Sequence, residues 1–362
     1  MQSSILPSDL YSELIEHMPL QDINSFCSTS SDMIQYCNKK EILNQIKNKI
    51  NTSYNSKDFN FKQLMLFGKT NLLWKNMAIY EDTAIYIKNN NFMIYDLITG
   101  NNANLSTLHL LNIKMGNLQV KDIYQFAIRK LIKSLHLLML MCISNDGKIY
   151  ILSSGTEPKT LPLSIKIISI HNDAENKQGV YVIDQRGKLL ESTAFGSFSP
   201  IEFKNVIQLE DQFILNVDGE VYIKIINGNI YNPLTQKYIN HDSSFKIFNE
   251  TKYYKIMNNV KQIHTLGYFL SNDHLYKFNW DLMTVNVLPY ENVDKFECYI
   301  KNNSIYIVWL SEGILYIDNE QISNPEYYVT EVHISLNKLI YIDNENINNL
   351  NLDTFEEIIT PL

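Results

Sequence analysis

Met141-Cys142-Ile143-Ser144-Asn145-Asp146-Gly147-Lys148-Ile149-Tyr150 reads as an apolar strand, a tight turn and a second apolar strand. Asn-Asp-Gly supplies the positive φ that a short hairpin turn needs, and the flanking residues alternate with the period of two expected of strands. The same phrase returns along the chain. Tyr86-Ile87 leads through Asn89-Asn90-Asn91 to Ile94-Tyr95, and Val180-Tyr181-Val182-Ile183 through Asp184 and Gly187 to Leu189-Leu190. Phe213-Ile214-Leu215 leads through Asp218-Gly219 to Val221-Tyr222, and Phe269-Leu270 through Asn272-Asp273 to Leu275-Tyr276. Ile305-Tyr306-Ile307 leads through Glu312-Gly313 to Leu315-Tyr316, and Leu339-Ile340-Tyr341-Ile342 through Asp343-Asn344 to Ile347.

A second element precedes each hairpin, an apolar pair with two residues between its members: Trp74…Met77, Val120…Ile123, Ile165…Ile168, Val206…Leu209, Val260…Ile263, Val293…Phe296 and Val329…Val332. Both series count to seven, and residues 75–362 divided by seven give about 41 per unit, the length of a four-stranded propeller blade. A closed ring removes the exposed edges that an open sheet of this length would carry. The expected fold is mainly β with a small α domain: a seven-bladed β-propeller over 74–362, a connector over 51–73 and a helical domain over 1–50.

Residues 5–50 contain no glycine and carry helical periodicity. Leu10, Leu14 and Met18 recur at i, i+4 and i+8 with Ile15 beside them, and Pro19 closes that helix. Asp22 can cap a second helix with Ile23, Phe26 and Cys27; a third, over about 39–50, aligns Ile42, Leu43, Ile46 and Ile50. Three such helices cannot hide this apolar surface alone, so a partner or the following domain must cover part of it.

Leu6-Pro7, Leu14-Ile15, Met18-Pro19 and Asp22-Ile23, followed by Thr29-Ser30, resemble the F-box pattern. The chain departs from it at Ser31, where the family often has Lys or Arg, and in lacking a tryptophan in the third helix. Asn145-Asp146-Gly147-Lys148-Ile149-Tyr150 and Asp218-Gly219-Glu220-Val221-Tyr222 resemble degenerate repeats of the regulator-of-chromosome-condensation family, which is richer in glycine than the 12 found here. Together these resemblances imply an F-box-plus-propeller chain of the kind giant DNA viruses encode. They imply a substrate-recognition adaptor of a cullin-type ubiquitin ligase, not an enzyme. Leu6, Pro7, Leu10, Leu14, Ile15, Met18, Leu20, Ile23 and Phe26 would bind a Skp-type adaptor, and through it a cullin, while the propeller would hold a client protein. The alternatives are a stand-alone propeller scaffold whose helices only cap the ring, a small-GTPase exchange factor, and a propeller hydrolase with acids and bases converging on the channel.

Composition narrows the partners. A net charge of −8 argues against a nucleic-acid phosphate surface as the main partner. The most apolar run, Leu135 to Ile143, is nine residues, short of a membrane span, and no secretory signal is apparent, so the expected location is the cytoplasm (of a host, if viral) or the nucleus. Cys27, Cys37, Cys142 and Cys298 form no C-x-x-C pair and are expected to be buried free thiols; no cofactor or metal is expected. The candidates for chemistry are weak. His171, Asp173 and Glu175 alternate in a loop, and His109, His136, His264 and His274 lack partners at ligand spacing. Arg129-Lys130-x-x-Lys133, with Ile128, Leu131 and Ile132, is expected to form an amphipathic helix between blades. Trp280 and Trp309 are candidates for a client groove or for the blade core.

Overall fold

The computed structural model describes residues 8–18, 20–50, 54–56, 58–73, 77–80, 82–104, 113–132, 137–161, 163, 166–172, 180–192, 198–200, 203, 205–210, 212–240, 251–302, 304–323, 328–335, 338–343 and 346–361. Strands alternating in apolar residues pair as antiparallel neighbours in seven separate sheets. Blade one is Met77–Tyr80, Thr83–Lys88, Asn91–Asp96 and Asn102–Asn104; blade two is Ile123–Ile132, Leu137–Ser144, Ile149–Ser153 and Lys159–Thr160. Blade three is Ile167–Asn172, Val180–Asp184, Leu189–Ser192 and Phe198–Pro200. Blade four begins Val206–Glu210, Phe213–Asn216, Val221–Ile226. It inserts a hairpin, Asn229–Asn232 with Lys237–Asn240, before its outer strand Thr251–Met257 returns to pair with Val221–Ile226. Blade five is Val260–His264, Tyr268–Ser271, His274–Asn279 and Thr284–Val287; blade six is Lys295–Lys301, Ser304–Ser311, Ile314–Ile317 and Glu320–Gln321. Blade seven is Glu331–Ser335, Lys338–Ile342, Asn346–Asn351 and Glu357–Pro361.

In blades two to six the turn between second and third strands does two jobs. Locally it reverses the chain with a positive φ, as at Gly147 (81°), Gly187 (75°), Gly219 (78°) and Gly313 (79°). Its carbonyl also receives the first strand of the next blade: Ile167 N–H donates to Gly147 O at 2.9 Å, Val206 to Gly187 at 3.2 Å, Val260 to Gly219 at 2.9 Å and Val329 to Gly313 at 2.9 Å. Between blades five and six Val293 donates to Asp273 in the same way, at 3.0 Å. Inner-strand glutamines add a second tie. Gln208 binds both the N–H and the C=O of Ile263 at 2.9 Å, and Gln262 does the same to Phe296.

The ring closes without exchanging strands, since blade one and blade seven are each contiguous in sequence. Closure rests on Met77, Ala84, Tyr86, Tyr95 and Leu97 packing with Ile340 and Ile347. Asn349 Nδ2 donates to Leu97 O at 2.7 Å across the seam.

Helices precede the ring: α1 Ser8–His17, α2 Leu20–Cys27, α3 Ser31–Cys37, α4 Lys40–Ile50 and α5 Phe61–Leu73. Residues 8–50 thus hold four helices where the apolar pattern indicated three. The additional one, α3, is short and starts at Ser30, whose Oγ accepts the Met33 N–H at 3.2 Å. Two expectations are corrected. Cys27 and Cys37 are not free thiols but a disulfide, because α3 folds back beside α2 and returns the chain to the same spot ten residues on; Cys142 and Cys298 are free and buried. Residues 123–132, Arg129 and Lys130 among them, are not an inter-blade helix but the inner strand of blade two, paired along their length with Leu137–Ser144. Cross-strand bonding satisfies that backbone, which overrides the helical spacing of its apolar residues.

Candidate functional site

The helical segment docks on one end of the ring. Phe61, Leu64, Met65, Leu66 and Phe67 of α5 are each at most 4% exposed, and α5 packs against the inner strands of blades three and four. Burying five such side chains contributes on the order of 10 kcal/mol before the cost of ordering the chain. Tyr54 OH donates to Ile167 O at 2.7 Å and Asn55 N–H to Asn145 O at 2.7 Å, both at the end of the ring where second and third strands join. Tyr54 also stacks among Phe59, Phe67 and Tyr124 at centroid distances of 4.8–5.9 Å, and burial, with Asp146 nearby, pushes its phenol up. The other helices are strapped on in turn: Phe61 N–H donates to Asn38 Oδ1 at 2.9 Å, Gln45 Nε2 to Ser12 Oγ at 2.8 Å and Lys49 Nζ to Glu16 O at 2.6 Å. One continuous apolar core runs from Ile15 through α5 into blade five.

The proposed adaptor contacts separate within this frame. Ile15 and Ile23 are 0% exposed and belong to that core. Met18 and Phe26 are partly buried against it, Phe26 beside Tyr11 at 5.9 Å. Leu14 is 44% exposed on α1. Leu10 and Leu20 lie on α1 and α2 with side chains outside the described set, and Leu6 and Pro7 lie outside the described residues.

At the opposite end of the ring four turns share one construction that the hairpin alignment did not use: Tyr95-Asp96-Leu97-Ile98-Thr99-Gly100, Tyr231-Asn232-Pro233-Leu234-Thr235-Gln236, Phe278-Asn279-Trp280-Asp281-Leu282-Met283 and Leu350-Asn351-Leu352-Asp353-Thr354-Phe355. In each the Asp or Asn side chain accepts the N–H two residues on: Ile98 to Asp96 at 2.9 Å, Leu234 to Asn232 at 2.9 Å, Asp281 to Asn279 at 3.0 Å and Asp353 to Asn351 at 2.8 Å. The residue closing each turn has positive φ: Gly100 at 73°, Gln236 at 54°, Met283 at 56° and Phe355 at 58°. The repeating Asx signal was available in the sequence, and one copy marks the inserted hairpin of blade four.

Other candidate residues are absorbed by packing. Trp280 is buried against Phe213 and Phe278. Trp309 stacks on Tyr316 at 4.4 Å and its Nε1 donates to Asp318 O at 2.6 Å. His171 lies on a strand of blade three, while Asp173, Glu175, His109 and His136 fall outside the described residues. His274 Nδ1 lies 2.7 Å from Asn272 O. Along the inner strands His264 approaches Glu297 at 3.6 Å and His333 approaches Glu331 at 3.4 Å. Among the described residues, no group of three or more His, Cys, Asp or Glu is placed to hold a metal ion, and no helix is long and apolar enough to cross a membrane. An open cleft of about 620 Å³ lies on blade two between Met115–Leu118, Asn145, Tyr150 and Pro158.

No family model and no curated protein matches the chain. Among solved structures it is similar to a streptogramin B lyase, at 11% identity over 79% of this chain and 93% of that one, with a TM-score of 0.43. It is similar also to Kluyveromyces lactis Hsv2, at 10% identity over 78% and 94% with a TM-score of 0.44, and to the AfRom2 CNH domain, at 12% over 65% and 85% with a TM-score of 0.35.

Proposed function

We propose that this chain is a non-enzymatic substrate-recognition adaptor of a cullin-type ubiquitin ligase. In this reading the helical segment binds a Skp-type adaptor and the propeller binds a client protein. The observation that supports it is the single core joining α1–α5 to blades two to five. A partner held on α1 then stands at a fixed position relative to the ring, and the opposite end of the ring, with its turns and inserted hairpin, is left for a client. Fixed geometry is what an adaptor contributes: it raises the effective concentration of client beside the ligase. The burial pattern divides the labour within α1 and α2. Ile15 and Ile23 hold the helices together, and contact with the adaptor falls to Leu14 and to the segment around Leu6-Pro7.

A second reading, a stand-alone interaction scaffold with the helices as a structural cap, draws on the same burial of Ile15 and Ile23. A pull-down with purified Skp-type adaptor separates the two. The intact chain should bind, and Leu14→Asp should abolish binding while leaving the melting temperature within a few degrees, because Leu14 is half in water already. Ile15→Asp places a charge in the core and should unfold the helical segment at a cost of about 3–5 kcal/mol, so it serves only as the folding control. Absence of binding by the intact chain would establish the scaffold.

A further inference from the structure

The inner strands carry one register position whose chemistry alternates around the ring. Side chains two residues apart on a strand share a side. The inner-strand glutamines show which side that is, since Gln208 reaches Ile263 of the next blade and Gln262 reaches Phe296. Two residues beyond those glutamines stand Glu210 and His264, and the strand ladders carry the position through every blade. It is Ala78 in blade one, Ala127 in blade two, His171 in blade three, then Glu210, His264 and Glu297, and His333 in blade seven. Three of the chain's eight histidines thus hold one level, with carboxylates between them. Contacts agree with this alignment. His264 Nε2 lies 3.6 Å from Glu297 Oε2 of the neighbouring blade, both side chains at most 16% exposed. His333 Nε2 lies 3.4 Å from Oε2 of Glu331, which holds the glutamine position of blade seven. His264 Nδ1 accepts the Leu266 N–H at 3.2 Å, which leaves Nε2 to carry the proton toward Glu297. Glu210 Oε1 accepts from Gln208 Nε2 at 3.0 Å.

We propose that this belt, Glu210, His264, Glu297, Glu331 and His333, is a proton-operated clasp across blades four to seven that tightens the ring as pH falls. With the imidazoles neutral, three carboxylates stand along the inner strands beside uncharged rings. Once His264 and His333 are protonated, the order from blade four to blade seven is negative, positive, negative, positive. Each contact is then an ion pair in a largely dry setting, where attraction exceeds that at an open surface. Imidazole is the side chain whose ordinary titration falls between about pH 5.5 and 8; those of carboxylates, lysines and phenols lie outside that window. The groups around the belt fit this division. Against His264 pack Glu210 of blade four, Tyr268 of its own blade, and Lys295, Glu297, Cys298, Tyr299 and Lys301 of blade six. Burial pushes the Tyr268 and Tyr299 phenols and the Cys298 thiol up, which keeps them neutral. Lys295 Nζ donates to Thr330 O at 3.2 Å, and Lys301 Nζ turns to Asp353 at 3.4 Å. Asp318 Oδ1, on the far side of blade six, accepts the Ile307 N–H at 3.0 Å. Against His333 the second strand of its blade brings Lys338 and Tyr341, whose phenol burial also pushes up, and the inner strand of blade one brings Tyr80. A fold that favours the protonated imidazole gains stability below the window and loses it as pH rises through it. The inference goes beyond the adaptor reading, and it does not depend on what the helices bind.

The test follows the melting temperature of the full chain by scanning calorimetry between about pH 8 and about pH 5.5. Titrating groups elsewhere give every form a common slope, so the difference between parent and variant is the reading. On acidification the parent should gain about 1–3 °C over His264→Gln/His333→Gln. Glu297→Gln keeps the shape, removes the carboxylate beside His264, and should lose part of that gain. A second measurement needs no substitution, because blades one and two carry alanine at the belt position and serve as the internal control. Hydrogen exchange, corrected for the intrinsic rate at each pH, should slow in the inner strands of blades four to seven as pH falls. The slowing should be about threefold or more relative to blades one and two. Parallel melting profiles for parent and variants, a parent that gains at the higher pH instead, or equal changes of protection in all blades would each overturn the proposal. Leu14→Asp should leave both measurements unchanged, so a failed adaptor pull-down and a failed clasp are separate results.

Discussion

Replacing Gly187 by alanine tests whether the strand turns act between blades or only within them. Gly187 sits at φ 75°, where an L side chain is disfavoured by about 1–2 kcal/mol. A Cβ built there falls 2.7 Å from Asn205 Cα and 2.8 Å from Asn205 N. Asn205 has little freedom to withdraw. The next residue, Val206, donates to Gly187 O, and Asn205 O accepts the Val217 N–H at 2.7 Å. Forcing a methyl group against fixed backbone adds about 1–3 kcal/mol, for a total of about 2–5 kcal/mol. Gly155 is the internal control: its φ is 73°, yet nothing lies within 4 Å of its Cβ position, so Gly155→Ala should cost only the conformational part, about 1–2 kcal/mol. Unfolding entropy for a chain of 362 residues is about 0.8 kcal/mol/K, so each kcal/mol moves the melting temperature by about 1 °C. Scanning calorimetry should therefore show Gly187→Ala melting about 2–6 °C below the parent and Gly155→Ala about 1–2 °C below. Equal shifts for the two would refute the claim that the turn carries the inter-blade contact.

Three further outcomes are expected. Reducing the Cys27–Cys37 bond releases a loop of sequence separation 10 in the unfolded chain and should destabilise the helical segment by about 3 kcal/mol. This would be read as a lower helical melting temperature in dithiothreitol, with Cys27→Ser/Cys37→Ser insensitive to the reagent. Asn349→Ala removes the hydrogen bond across the closure seam and leaves Leu97 O buried without its donor, costing about 1–3 kcal/mol; urea unfolding followed by tyrosine fluorescence should show the lower midpoint. Glu220 is held down to about 2 from an ordinary 4.5 by hydrogen bonds from Lys255, Tyr222 and Asn216. A depressed carboxylate stabilises the fold above its unfolded value, and that contribution fades as pH falls from about 4.5 through 2. Glu220→Gln should flatten the pH dependence of melting in that window, and an unchanged profile would show the cluster to be fully screened.

The seven-fold count was legible because each blade is a local object. Period-two alternation and Asp-Gly or Asn-rich turns specify a hairpin with its neighbours in sequence, and every second-to-third-strand hairpin read from the chain is found in its own blade. Even the inner strands were marked, by pairs such as Val260…Ile263 and Val206…Leu209. Where local pattern misled, a non-local partner was the reason. The helical spacing around Arg129 gave way to the ladder with Leu137–Ser144, and α3 was missed because seven residues capped by Ser30 leave little periodicity to read.

What the sequence by itself determined is therefore the repeat: strands, turns, their number and the presence of a helical segment ahead of them, all encoded within windows of about ten residues. Tertiary structure alone decided how the pieces meet. It joined Cys27 to Cys37, buried Ile15 and Ile23 against α5 and the ring, and closed the circle through Asn349 and Leu97 without a shared strand. These depend on contacts between residues distant in sequence, 252 positions apart at the seam. No local periodicity encodes such pairs; they exist only once the ring has formed.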